Sequence, residues 1–170
     1  MRGLLLLAAL SCGCASTSDR IAVEALRTPW REAFYVPSTE TTMGLALTRL
    51  EKRLGAIGVT VAYADLTSES LGGRTRDGHI EIEQTLAING RLEVLAHEAG
   101  HLFHPPTLSV AEQQAFAEMV GAEVCAKLGW PMWRGSARYL GLFKPGLAGA
   151  LASKVDRERA VRVLLGEEAP

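Results

Sequence analysis

The segment Leu95-Ala96-His97-Glu98-Ala99-Gly100-His101-Leu102-Phe103 constrains this chain more than any other. Histidines four residues apart share one face only if the segment is α-helical, because successive residues step about 100° around a helix. On a helix from about Arg91 to His104, the residues Leu92, Leu95, Ala99, Leu102 and Phe103 cover one face. His97, His101 and His104 occupy the opposite face, with Glu93 near them, and Pro105-Pro106 stops the run. The helix therefore needs a core behind it and open space in front. Two imidazoles at this spacing suit one Zn²⁺ ion. Glu98 falls beside such an ion rather than on it, where it can act as general base towards a water whose pKa zinc lowers to about 7.

A hydrolytic zinc site keeps three protein ligands and one open position. The HExxHxxGxxH arrangement requires Gly at 104 and His at 107, and the chain has His104 and Thr107, which excludes it. The other common source is a Glu on the following helix. Ser109 caps such a helix, which runs to about Leu128 and is stopped by Gly129 and Pro131. It offers Glu112, Glu118 and Glu123. The arc centred on Glu118 holds Val110, Ala115, Gly121, Ala122, Cys125, Ala126 and Leu128, apolar and mostly small, so a neighbouring helix can approach closely. Glu112 and Glu123 share the far side with Gln113 and Lys127 and read as solvated helix charges. A carboxylate in the middle of an inward face is costly unless it is paired or binds a metal. Glu118 is therefore the expected third ligand, with a buried arginine pair as the competing reading. His104 stays open as an alternative ligand, a hydrogen-bond donor to a ligand, or a substrate contact.

The 170 residues, 18.3 kDa, make one domain with a real core. Eighteen basic against nineteen acidic residues leave a net charge of −1, which argues against a nucleic-acid partner. Three cysteines are too few and too badly placed for a disulfide scaffold, and Cys125 reads as a small core residue. Met1-Arg2, the apolar run Leu4 to Leu10 and the small residues Ser11-Cys12-Gly13-Cys14-Ala15-Ser16 form an export signal too short to span a bilayer as an anchor. The segment resembles a bacterial lipoprotein signal, which implies lipidation at Cys14 (or Cys12) and a membrane-surface tether in the cell envelope. The domain organisation expected is a signal over 1–14, a tether with a short helix over 15–40, and a single domain over 41–165.

Within that domain, Thr41-Thr42 cap a helix with Met43, Leu47, Leu50 and Leu54 on one face, ended by Gly55 and Gly58. Val59 to Tyr63 is a strand. Arg74 to Thr85 alternates around Asp77-Gly78 as a hairpin with Ile80 and Ile82 on one face. Asn89-Gly90 precedes the His-bearing helix, Trp130 to Pro145 is irregular with Trp130 and Trp133 as core anchors, and Asp156 to Leu165 is a final helix.

The run from Leu95 to His104, followed by Glu112-Gln113-Gln114-Ala115-Phe116-Ala117-Glu118, resembles the gluzincin type of zinc metallopeptidase, and more narrowly is similar to the ImmA/IrrE-like group, over about Thr41 to Gly129. The resemblance implies an α+β, zincin-like fold, in which a small β-sheet packs on the HExxH helix and a following helix bears a ligand. It implies hydrolysis of peptide bonds, with a substrate laid along an edge strand within Arg74 to Thr85. That group is mostly cytoplasmic and often acts on repressor proteins, whereas this chain carries an export signal, so the fold and metal chemistry are carried over and the regulatory role is not. Tyr63, Arg138 and Tyr139 are candidate oxyanion donors, and His79 reads as a surface residue. The alternative from another class is a zinc-binding but catalytically silent envelope lipoprotein, a binding or assembly module. An intact Glu98 argues against it.

Overall fold

The computed structural model describes residues 40–66, 72–130 and 146–170. The signal segment with Cys12 and Cys14, nearly all of the tether over 15–40, the Met132-Trp133 pair, and Arg138 and Tyr139 lie outside those residues. The chain is α+β. In order, the described elements are α1 (Glu40–Ala56), β1 (Thr60–Ala64), β2 (Gly73–Arg76), β3 (His79–Glu83), α2 (Ile88–Gly100), α3 (Val110–Lys127), α4 (Leu147–Ala152) and α5 (Lys154–Leu165).

The three strands form one sheet in the order β1-β3-β2. β2 and β3 are a hairpin, with Thr75 opposite Ile80 and Arg76 opposite His79. Its two turn residues, Asp77 at φ 50° and Gly78 at φ 76°, both adopt the left-handed conformation that matches strand twist. β3 also pairs in parallel with β1, so β3 is central and β2 is an edge. Ile80 and Ile82 point to the helices and are fully buried. Glu81 on the other face pairs with Arg74.

α2 runs through the middle of the molecule. Leu92, Leu95, Ala96 and Ala99 on it are fully buried, with Leu50 and Leu54 of α1, Phe116, Val120 and Val124 of α3 and Leu164 of α5. Each such aliphatic or aromatic side chain contributes about 1.5–3 kcal/mol through burial. Cys125 is buried in this core, as expected. Trp130 packs on it too, and its Nε1–H donates to Glu93 Oε1 at 2.7 Å, fastening the end of α3 to the front of α2.

Several boundaries differ from the sequence expectation. α1 continues through Gly55 to Ala56, and Gly58 at φ 82° makes the turn. α2 begins at Ile88 rather than Arg91 and ends at Gly100 rather than His104. Its first turn is fastened from outside. The Arg91 guanidinium donates to the carbonyls of Leu86 and Gln84, which overrides the breaking tendency of Asn89-Gly90. At its other end Leu102 and Phe103 bond back three residues, to Ala99 and Gly100, a tighter turn ahead of Pro105. His104 therefore sits in a turn, not on the helix. A short helix, α4, lies between residues for which the sequence indicated none and the expected final helix.

Candidate metal centre

α2 and α3 cross with their backbones in contact. A Cβ on Gly100 would lie 2.8 Å from Cα and the carbonyl oxygen of Ala117, and one on Gly121 would lie 2.8 Å from the amide nitrogen of His97. Only hydrogen fits at these two points. The small arc around Glu118 thus serves the close approach inferred for it. That approach brings Glu118 to the HExxH motif, with its Oε2 2.9 Å from Nδ1 of His97. The carboxylate is 5% exposed, and its bonded partner is this histidine rather than an arginine. In the tautomer that donates Nδ1–H to Glu118, the ring's lone pair is on Nε2 of His97.

His97, Glu98, His101, His104 and Glu118 line one cavity of about 950 Å³, together with Gln113 and Gln114 of α3 and the β2 hairpin from Gly72 to Gly78. The His97 and His101 rings stand edge to face with centroids 5.0 Å apart, and His104 is 5.9 Å from His101. Burial, with the neighbouring histidines second, pushes the His101 imidazole down to about 4, so it is neutral at pH 7; Gln114 hydrogen-bonds to it. His104 Nδ1 lies 3.2 Å from the carbonyl of Pro105, its own neighbour in the chain.

Glu98 is 8% exposed. Burial raises its carboxyl above the ordinary range, and a hydrogen bond from Thr75 works against that rise. The Thr75 hydroxyl is 2.8 Å from Glu98 Oε2 and 3.0 Å from the Glu98 carbonyl. Gly73, two residues earlier, lies so close that an added Cβ would be 2.6 Å from Cγ1 of Val94 and 3.0 Å from Cγ of Glu98.

The remaining candidates fall elsewhere. Tyr63 is not among the residues lining the cavity; its hydroxyl donates to Glu51 and Arg91 stacks on its ring, so it joins α1, β1 and α2 and offers the site no oxyanion donor. His79 is on the sheet face away from the helices, beside Thr60 and Glu81, a surface residue as expected. Glu112 and Glu123 are not plain solvated charges. Glu112 closes the start of α3, where Ser109 N–H and hydroxyl both donate to it at 2.7 Å. Glu123 is half-buried near Arg157, and desolvation raises its carboxyl.

The sequence reading passed over Thr75, Gly73 and Gln114, although two of them were within reach. A two-residue turn at Asp77-Gly78 fixes the hairpin register and puts Thr75 opposite Ile80, hence on the helix-facing side. Gln114 precedes Glu118 by one helical step of four.

The donor types fit zinc: two imidazoles and a carboxylate, on facing helices, on the wall of one cavity. As placed, no three ligating side chains among the described residues stand within joint reach of one ion, and Glu118 Oε2 is bonded to His97 Nδ1. Comparison with protein-family models, with curated proteins and with solved structures gives no match.

Proposed function

We propose that this chain is a zinc-dependent hydrolase of peptide or other amide bonds, zincin-like in fold and similar to the ImmA/IrrE-like metallopeptidases, exported and held at the cell-envelope surface by a lipid on Cys14 (or Cys12). The observation that carries the reading is the convergence of His97, Glu98, His101 and Glu118, from two helices, on one cavity bordered by an edge strand. His97, His101 and Glu118 would hold the zinc. When bound, zinc supplies a Lewis acid that polarises a carbonyl and makes water acidic near neutral pH.

The chain's own residues do the rest. Glu98 takes a proton from the attacking water at its carboxylate and delivers it to the leaving nitrogen. β2 supplies the docking edge. Gly72 C=O accepts from Glu83 N–H at 2.9 Å, and backbone groups in an antiparallel ladder alternate, so Gly73 and Thr75 direct their N–H and C=O away from β3. Among the described residues β2 pairs with β3 alone. An extended peptide can add there as a fourth strand.

The test is metal content of the purified protein with two variants. About one zinc per chain, lost in Glu118→Gln and retained in His104→Ala, is expected. Zinc lost only in His104→Ala moves the third ligand, and no zinc in the folded protein refutes the reading. With zinc present, cleavage of labelled casein must disappear in Glu98→Gln; a zinc-loaded protein without that activity is a binding module instead.

A further inference from the structure

We propose that the edge strand sets the general base: Thr75 is a positioning residue that, with Gly73, holds the Glu98 carboxylate in the cavity at a fixed distance from the strand's docking edge. The proposal rests on the hydrolase reading for its kinetic consequence, and not for its structural one.

The two contacts grip Glu98 at different points. Gly73 lies alongside the middle of the side chain, where no Cβ would fit beside Glu98 Cγ and Val94. Thr75 reaches the end of it, at Oε2. A side chain with three rotatable bonds is thereby restrained at Cγ and at the carboxylate together. The Thr75 hydroxyl has one proton and two acceptors, the Glu98 carboxylate at 2.8 Å and the Glu98 carbonyl at 3.0 Å. In the ionised form that acts as base, the carboxylate is the stronger acceptor, so the hydroxyl proton goes to Oε2. One carboxylate oxygen is then engaged and the other is left for a proton from water.

Thr75 has a second property. Its backbone groups face away from β3, along the edge where a substrate strand would bond, while its side chain faces α2. The same residue would fix the substrate backbone and the base. Their separation would then be set across a single residue rather than across two independently moving elements. Placement errors near 1 Å cost roughly a hundredfold in rate, which is the scale of what this arrangement guards against.

The test uses the zinc-loaded full chain and the variants Thr75→Val, which keeps the branched shape and removes the hydroxyl, and Thr75→Ser, which keeps the hydroxyl. Thr75→Ala serves as a second hydroxyl-free form if Thr75→Val does not fold. The first readout is the side-chain carboxyl ¹³C resonance of Glu98, assigned by its loss in Glu98→Gln. It should shift or broaden in the hydroxyl-free forms and stay near its wild-type position in Thr75→Ser. The second is cleavage of fluorescein-labelled casein. There kcat should fall roughly ten- to a hundredfold without the hydroxyl, with KM within about twofold, and Thr75→Ser should recover most of it. A Glu98 resonance indifferent to the hydroxyl overturns the proposal, as does a kcat indifferent to it in an active wild type. A resonance that moves as expected in a wild type that cleaves nothing upholds the grip on Glu98 and removes the hydrolase reading instead.

Discussion

Substituting alanine at Gly121 and at Gly55 should shift stability in opposite directions. Gly121 lies within α3 and Gly55 one residue before the end of α1; in a helix interior Gly→Ala alone gains about 0.5–1 kcal/mol from the backbone, and less in the last turn. At Gly55 a Cβ meets nothing within 4 Å, so the smaller gain of a last-turn position should appear with no steric cost against it. At Gly121 the Cβ would be 2.8 Å from the His97 nitrogen and 3.0 Å from Ala96 C and His97 Cα, against 3.4–4 Å for ordinary contact. The obstacle is backbone on a packed helix, which cannot rotate aside, so α2 and α3 must separate by about half an ångström. Overpacking of this kind costs about 1–3 kcal/mol, and backbone against backbone belongs near the top of that range. The net expectation for Gly121→Ala is a loss of about 1–2 kcal/mol after the helix gain. Urea unfolding of the two variants and the wild type measures both signs, provided the slopes agree. The separation also draws Glu118 from His97, so under the proposed function zinc affinity should fall in Gly121→Ala and not in Gly55→Ala. If Gly121→Ala is as stable as Gly55→Ala and binds zinc like the wild type, the close crossing of α2 and α3 is wrong, and with it the placement of Glu118.

Removing the Phe116 ring, fully buried on α3, should cost about 3–5 kcal/mol in Phe116→Ala by the same unfolding assay. Cys125 should resist a thiol reagent at pH 8 in the native protein and react fully once unfolded, because burial raises its thiol pKa and shields it. The two Ser109 donors hold Glu112 below its unfolded carboxyl pKa, so its contribution is present above that pKa and lost as pH falls through the lower, folded one. Glu112→Gln should therefore be less stable than wild type at pH 7, with the gap closing on acidification below about 4.5, the unfolded value.

What was legible in the sequence depended on how local its cause was. The helix face of Leu47, Leu50 and Leu54, the Asp77-Gly78 hairpin and the Ser109 start of α3 follow from periodicity, positive φ and capping, and each was found where the residues put it. The ends of α2 were misjudged because their causes are tertiary or steric. Arg91 reaches across to the end of β3 to hold the first turn, and the chain tightens after Gly100 ahead of Pro105. A uniform 100° wheel carried His104 onto a helix that had already ended. The HExxH motif leaves the residue type at Gly100 unspecified. Gly100 is the point where Ala117 touches α2, a fact set by a residue seventeen positions away.

The three buried carboxylates among the described residues show why burial alone would have misled and why their surroundings decide. Glu83, Glu98 and Glu118 are all under a tenth exposed. Glu83 accepts the backbone N–H groups of Leu66 and Thr85, which pull its carboxyl below the ordinary range, and it does not line the cavity. Its charge is settled by fixed donors of the loops it joins, as a structural carboxylate requires. Among the described residues, Glu98 and Glu118 have no such backbone donors. Each is bonded by one side chain, Thr75 or His97, and each faces the same cavity. A buried carboxylate so sparsely satisfied costs stability. Two of them on one wall, beside His97 and His101, are the cost expected where a site is kept for a charged ligand. On this reasoning Glu83→Gln should lower stability and leave zinc binding intact, whereas Glu118→Gln should do the reverse, raising the unfolding midpoint without metal while removing zinc. Equal stability losses in both variants would place Glu118 with Glu83, among the residues that hold the fold.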